Sequence, residues 1–166
     1  MPPTGSSDAR LLILGSLPGE ASLKARRYYA HPQNQFWRLL GQAIGEDLAG
    51  ISYEDRIDRL AAHGIALWDV VGEATRAGSL DMAIRGATPN ELRNHAATHP
   101  RLRAIAFNGK TAARIGRKAL GDIAGVELID LPSSSPAYTL AFEEKAKRWA
   151  LLGPLAWQPE AATLDP

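Results

Sequence analysis

Leu11-Leu12-Ile13-Leu14, ended by Gly15, is an apolar run with no polar alternation, and a strand of that kind must be covered on both faces. The pattern returns at Ile65-Ala66-Leu67-Trp68, at Ala104-Ile105-Ala106-Phe107 and at Val126-Glu127-Leu128-Ile129. Amphipathic stretches separate the runs. Phe36, Leu40, Ala43 and Ile44 share one helical face, Ile57, Leu60 and Ala61 a second, and Ala112, Ile115 and Leu120 a third. Phe142, Ala146, Trp149 and Leu152 close the series. Alternation of this kind predicts an α/β fold, a three-layer α/β/α sandwich around a central four-stranded parallel sheet. A length of 166 residues suits a single domain, expected over residues 10–157 between a flexible leader (1–9) and a C-terminal tail (158–166). The stretch from Gly72 to Thr98 has weak periodicity and predicts mostly loop, with a short helix from about Asn90.

Ligands of such sheets sit at the carboxyl ends of the strands, and here each strand runs into a distinctive loop. Gly15-Ser16-Leu17-Pro18-Gly19 follows the first, Asp69-Val70-Val71-Gly72 the second, Asn108-Gly109-Lys110-Thr111 the third and Pro132-Ser133-Ser134-Ser135-Pro136 the fourth. All four are expected at one edge. The first loop keeps side chains away from backbone amides, which serves close approach to a ligand and equally serves a tight turn. Neither the dinucleotide fingerprint Gly-x-Gly-x-x-Gly nor the phosphate loop Gly-x-x-x-x-Gly-Lys-Ser/Thr occurs. A nucleotide-binding α/β regulator would therefore rest on the fold alone.

Composition removes other chemistries. Without cysteine there is no disulfide, thiolate metal site, cysteine nucleophile or iron–sulfur cluster. A formal charge of +1 excludes grip on a polyanion by bulk attraction, so contact with nucleic acid would be local. No apolar run approaches the ~20 residues of a membrane span, and the expectation is a soluble cytoplasmic protein with no membrane partner.

Tyr28-Tyr29-Ala30-His31-Pro32-Gln33-Asn34-Gln35-Phe36-Trp37 concentrates aromatic, amide and imidazole groups just before a helix, a mixture that core packing does not need. With the Gly15–Gly19 loop, this segment resembles the opening of the uracil-DNA glycosylase superfamily, most of all its hypoxanthine-directed branch and next its mismatch-specific branch. Leu67-Trp68-Asp69-Val70-Val71 is similar to that family's base-recognition strand end, Phe107-Asn108-Gly109-Lys110 to its third strand and turn, and Leu131-Pro132-Ser133-Ser134-Ser135-Pro136 to its DNA-intercalating loop. The likeness runs from about Leu11 to Leu152. Two positions depart from it: Leu17 stands where the mismatch-specific branch has a water-positioning Asn, and Leu131 where the uracil-specific enzymes have a His. The hypoxanthine-directed branch instead has its Asn at the position of Asn34 and shares the Leu-Trp-Asp-Val wording around Asp69.

The resemblance implies a monofunctional DNA N-glycosylase that needs no cofactor and works as a monomer on DNA containing deaminated bases, hypoxanthine preferred, leaving an abasic site. Uracil or mismatched thymine is the alternative base, and a non-catalytic module for damaged DNA the alternative of another class. Cleaving an N-glycosidic bond passes through an oxocarbenium-like sugar, so a water must be held beneath the anomeric carbon and the leaving base stabilised. Asn34 is the candidate for holding that water, with helix capping as its other reading. Asp69 is the candidate for reading the base. Hypoxanthine and uracil offer an N–H where adenine and cytosine have a lone pair, and a carboxylate accepts from the first and repels the second. Its other reading is a cap after the strand. Because the base must be flipped out of the duplex, a stacking platform is required, and Phe36 is the expected ring, with Tyr28 and Tyr29 as walls. Ser16 and Asn108 are expected at the base. Ser133, Ser134 and Ser135 are expected to grip phosphates, with Tyr138 as wedge and Lys110 as a phosphate or base-oxygen contact. His31 reads as a structural imidazole, and the cluster Arg114, Arg117, Lys118 as a solvated face, while Lys24, Arg26 and Arg27 lie just before the aromatic segment.

Overall fold

A computed structural model describes residues 1–75 and 85–157, so the predicted tail at 158–166 lies outside the described residues. The four predicted strands are present as β2 (Leu11–Gly15), β3 (Ile65–Asp69), β6 (Ala104–Asn108) and β7 (Glu127–Leu131). They pair in parallel in the order β3-β2-β6-β7, with Ile13 opposite both Leu67 and Ala106. Hence the sheet is wound outwards from its first long strand, and the carboxyl ends of all four align on one side.

Side-chain alternation explains why the runs are apolar throughout. Leu11 and Ile13 pack with Leu67, Ala106 and Ile129 under α2 (Phe36–Ile44), α3 (Tyr53–Ala62) and α6 (Phe142–Trp149). Leu12 and Leu14 pack with Ala66, Ile105 and Phe107 under α4 (Leu92–Ala97) and α5 (Lys110–Leu120). Successive residues of one strand thus serve two cores, each buried aliphatic side chain contributing about 1.5–3 kcal/mol. Strand β7 borders the sheet and relaxes the rule, burying Ile129 and Leu131 while Asp130 stays exposed. Leu131, at one of the two departing positions, is a core residue.

Three expectations need correction. The sheet has a fifth strand, β1 (Thr4–Gly5), antiparallel to β3, so the sheet is mostly parallel. It lies within the expected flexible leader, which is fastened at several points. Pro2 and Met1 carbonyls accept from the Tyr28 hydroxyl (2.6 Å) and the Trp68 indole (3.1 Å), and the Ala9 amide donates to His99 Nδ1 at 2.8 Å. A polar, Pro-rich composition gave no hint of these long-range partners. Third, the stretch expected as loop contains a two-stranded ribbon, β4 (Val71–Thr75) against β5 (Arg85–Pro89), with irregular register. Its broken pairing is the reason that no period-2 pattern was legible. The short α1 (Glu20–Ala25) completes the described helices, followed after α6 by a 3₁₀ segment, Ala150–Leu155. No described helix is long and apolar enough to cross a membrane.

Candidate active site

The carboxyl ends of β2, β3 and β6, with the loop after β7, enclose a cavity of about 260 Å³. That is just below the ~300 Å³ at which small-molecule pockets begin, a size for one ring system and not for a dinucleotide. Gly15, Ser16 and Leu17 line it from the first loop, Tyr28, Tyr29, His31 and Asn34 from the aromatic segment, and Asp69, Asn108 and Ser133–Ser135 from the other strand ends. Asn34 and Asp69, from separate segments, therefore share one chamber.

Backbone pairing places Asp69. Val70 and Val71 amides donate to the Gly15 and Ser16 carbonyls at 2.8 and 3.0 Å, extending the β2–β3 pairing into the loop. The Asp69 carboxylate is 4% exposed, and its Oδ1 lies 2.8 Å from where a Cβ on Gly15 would stand. Tyr29 Oη lies 2.8 Å from that same point, so Gly15 is the gap into which both side chains reach. The Tyr28 hydroxyl is pushed well above the ordinary phenol range by burial and then by the Asp69 charge.

Aromatic placement differs from the sequence reading. Phe36, the expected platform, is fully buried and does not line the cavity. Tyr29 lies flat on it, centroids 3.8 Å apart and planes 10° apart, while Trp37 and Trp149 meet Phe36 edge-on. Of the rings that line the cavity, Tyr29 is the one stacked on Phe36. Its backbone is left-handed at φ 55°, which costs a non-glycine residue ~1–3 kcal/mol and persists only where the surroundings impose it. Periodicity cannot foresee such a turn, because a positive φ at one residue leaves no hydrophobic pattern. Trp37 is core, its indole donating to the Tyr28 carbonyl at 3.3 Å.

Asn34 precedes the N-cap residue Gln35, holds the first amide of α2 and faces the site. Its Oδ1 accepts from the Phe36 amide at 2.9 Å and from the Ser134 hydroxyl at 2.8 Å. Asn108 Nδ2 donates to Ser134 Oγ at 2.8 Å, and the Ser134 amide donates to Asn108 Oδ1 at 2.9 Å. Ser134 is fully buried, with its carbonyl accepting from the Gln35 amide, so it cannot grip a phosphate as the sequence suggested. Ser133 and Ser135 differ from it. Their oxygens accept from the Ser135 and Ala137 amides at 3.1 and 3.2 Å, which leaves each hydroxyl proton to donate. Lys110 is exposed at the start of α5 and does not line the cavity, nor does Tyr138, which is 43% exposed beyond the serine loop. His31 is exposed and tied to backbone, Nδ1 accepting from the Gln33 amide at 3.1 Å. Lys24, Arg26 and Arg27 are exposed, and Arg117 pairs with Asp130 at 3.0 Å.

Sequence reading missed Lys145. This side chain is 1% exposed, donates to Gln35 Oε1 at 3.0 Å and to the Ser135 carbonyl at 3.2 Å, and stands 5.3 Å from the Tyr138 ring centre. Burial lowers its pKa. It joins α6, the serine loop and the residue before α2. The signal was its spacing, since a lysine three residues after Phe142 and four before Trp149 falls on the apolar stripe.

A family model, the uracil DNA glycosylase superfamily, matches residues 2–157. The chain belongs to that superfamily. Among its relatives is the hypoxanthine DNA glycosylase of Methanosarcina barkeri, 38% identical over 149 residues, covering 90% of this chain and 93% of that one. The hypoxanthine DNA glycosylase of Methanosarcina acetivorans is 38% identical over 142 residues, covering 86% and 89%. A solution NMR structure of a candidate uracil DNA glycosylase from Methanosarcina acetivorans superposes with a TM-score of 0.82 at 36% identity, covering 93% of this chain and 96% of that one. The superfamily resemblance read from the four loops and the α/β/α expectation both hold.

Proposed function

We propose that this member of the superfamily is a DNA repair glycosylase that removes hypoxanthine from DNA and leaves an abasic site. The observation that carries this reading is the convergence of Asn34, Asp69 and the Tyr29 ring on one base-sized cavity. An extruded purine stacks on Tyr29, which Phe36 backs. The Asp69 carboxylate accepts from the N–H of hypoxanthine and repels the lone pair that adenine carries at the same position. Water adds to the anomeric carbon while the C–N bond breaks. The bond's electron pair leaves with the base, which gains a proton on its imidazole ring, and the incoming oxygen sheds a proton to solvent. Proton uptake by the purine avoids the anion that a departing pyrimidine would bring against Asp69, and so supports hypoxanthine over uracil. The names of both Methanosarcina relatives support the same substrate. Ser133 and Ser135 donate to phosphates beside the flipped nucleotide, and Tyr138 fills the gap in the stack. This chemistry asks for no metal or organic cofactor. The enzyme is expected to act as a monomer in the cytoplasm.

Duplexes carrying a single inosine, uracil or G·T mismatch, treated with protein and then alkali, test the reading. Inosine strands are cleaved fastest, and Asn34→Ala lowers that rate about 100-fold or more. An Asn34→Ala protein as fast as the parent would overturn the role of Asn34, and binding without turnover would replace the enzyme with a binding module.

A further inference from the structure

Two backbone amides fix the direction of every hydrogen bond in the chain Asn108–Ser134–Asn34. A peptide N–H can only donate, so the atom 2.9 Å from the Ser134 amide is Asn108 Oδ1, and Asn108 must turn Nδ2 to Ser134 Oγ. Ser134 Oγ then accepts from Asn108, and its single proton goes to Asn34, 2.8 Å away. At the other end, the Phe36 amide marks its partner on Asn34 as Oδ1. Both lone pairs of that oxygen are filled by protein. Asn34 Nδ2 donates to no group among the described residues, and Asn34 lines the cavity.

We infer that Ser134 and Asn108 are positioning residues that lock the Asn34 amide in one orientation, so that it serves the reaction as a hydrogen-bond donor through Nδ2. This rests on the glycosylase reading above and adds to it. A water that accepts from Nδ2 keeps a second lone pair for the anomeric carbon and turns its protons away from the sugar. Neither Ser134 nor Asn108 need touch the base or the DNA. Their effect passes through one oxygen of Asn34.

Asn108→Asp is the informative variant. One carboxylate oxygen keeps the Ser134 amide, while the other becomes an acceptor facing Ser134 Oγ. The serine proton then turns to the carboxylate and Asn34 loses its second donor. When protonated, the carboxyl donates as the amide did and the original direction returns. Asp69 and His31 line the same cavity, so the ratio of variant to parent is read at each pH. Single-turnover release from an inosine duplex is expected to fall about 10- to 100-fold at neutral pH, with KM within about twofold, and the ratio to rise as pH falls. Ser134→Ala gives a comparable loss without pH-dependent recovery, and adds little to Asn34→Ala because the two act as one unit. A flat ratio for Asn108→Asp, or full additivity of Ser134→Ala with Asn34→Ala, overturns the inference. If Asn108→Asp does not fold, the additivity measurement decides it. A parent that leaves inosine intact refutes the glycosylase reading alone. In that case the side-chain amide resonances of Asn34 in ¹⁵N-labelled protein still report: a shift in Ser134→Ala upholds the lock, and an unchanged pair removes it.

Discussion

Gly15→Ala introduces a single methyl group at the most crowded point of the site. Its Cβ would stand 2.8 Å from both Asp69 Oδ1 and Tyr29 Oη, well inside ordinary carbon–oxygen contact. Both oxygens end side chains that have little room to retreat. Asp69 is buried at its strand end, and the Tyr29 ring is flat on Phe36 at 3.8 Å. Moving either by about half an ångström repacks the platform or turns the carboxylate, and overpacking of this kind costs ~1–3 kcal/mol. On the proposed reading the displaced atoms are those that meet the base, so the loss should appear in the chemical step, where a misplacement of about 1 Å can cost ~100-fold. We expect inosine release to slow about 10- to 100-fold, equivalent to ~1.4–2.7 kcal/mol of barrier, measured by single-turnover alkali cleavage. Gly125→Ala is the control. That glycine has φ 76° with nothing within 4 Å of its would-be Cβ, so it should lose ~1–2 kcal/mol of thermal stability and keep the parent rate. A Gly15→Ala protein with parent rate would show that Tyr29 and Asp69 do not meet the substrate as argued.

Lys145→Met should change stability by less than about 1 kcal/mol, since relief of a buried charge offsets two lost hydrogen bonds of ~0.5–1.5 kcal/mol each. Activity should fall roughly tenfold once the Lys145 bridge between the Gln35 side chain and the Ser135 carbonyl is lost. Urea unfolding beside the inosine assay checks both, and an unchanged rate would remove Lys145 from the site. Acid should weaken the fold in two stages. Burial holds His95 and His99 below the usual imidazole range, so the unfolded chain binds their protons first and stability drops as pH falls from about 6.5. Hydrogen bonds from Arg59 and His63 hold Glu46 below the usual carboxylate range, so its contribution is lost only in more acid solution, below about 4.5. Denaturant midpoints between pH 8 and 3 check this, and a His95→Gln/His99→Gln protein that keeps the first drop would refute it.

The parallel sheet was legible because double-sided burial leaves an unmistakable composition: Leu11 to Leu14 cannot face water on either side, and β2 indeed serves two cores. Asn34 and Asp69 were legible as candidates because the family resemblance marked their positions and an amide and a carboxylate there answer a definite chemical need. That Tyr29 lines the cavity while Phe36 backs it was decided by packing, and the left-handed backbone at Tyr29 is a choice that composition does not record. The serine loop shows the same limit. Ser133, Ser134 and Ser135 are identical in sequence, yet the middle one is enclosed between Asn34 and Asn108 while its neighbours keep protons to donate. The sequence alone determined which chemical groups were present and that the strand ends would gather them. Only tertiary packing decided their orientation, because the direction of a hydrogen bond depends on partners 26 and 100 residues away.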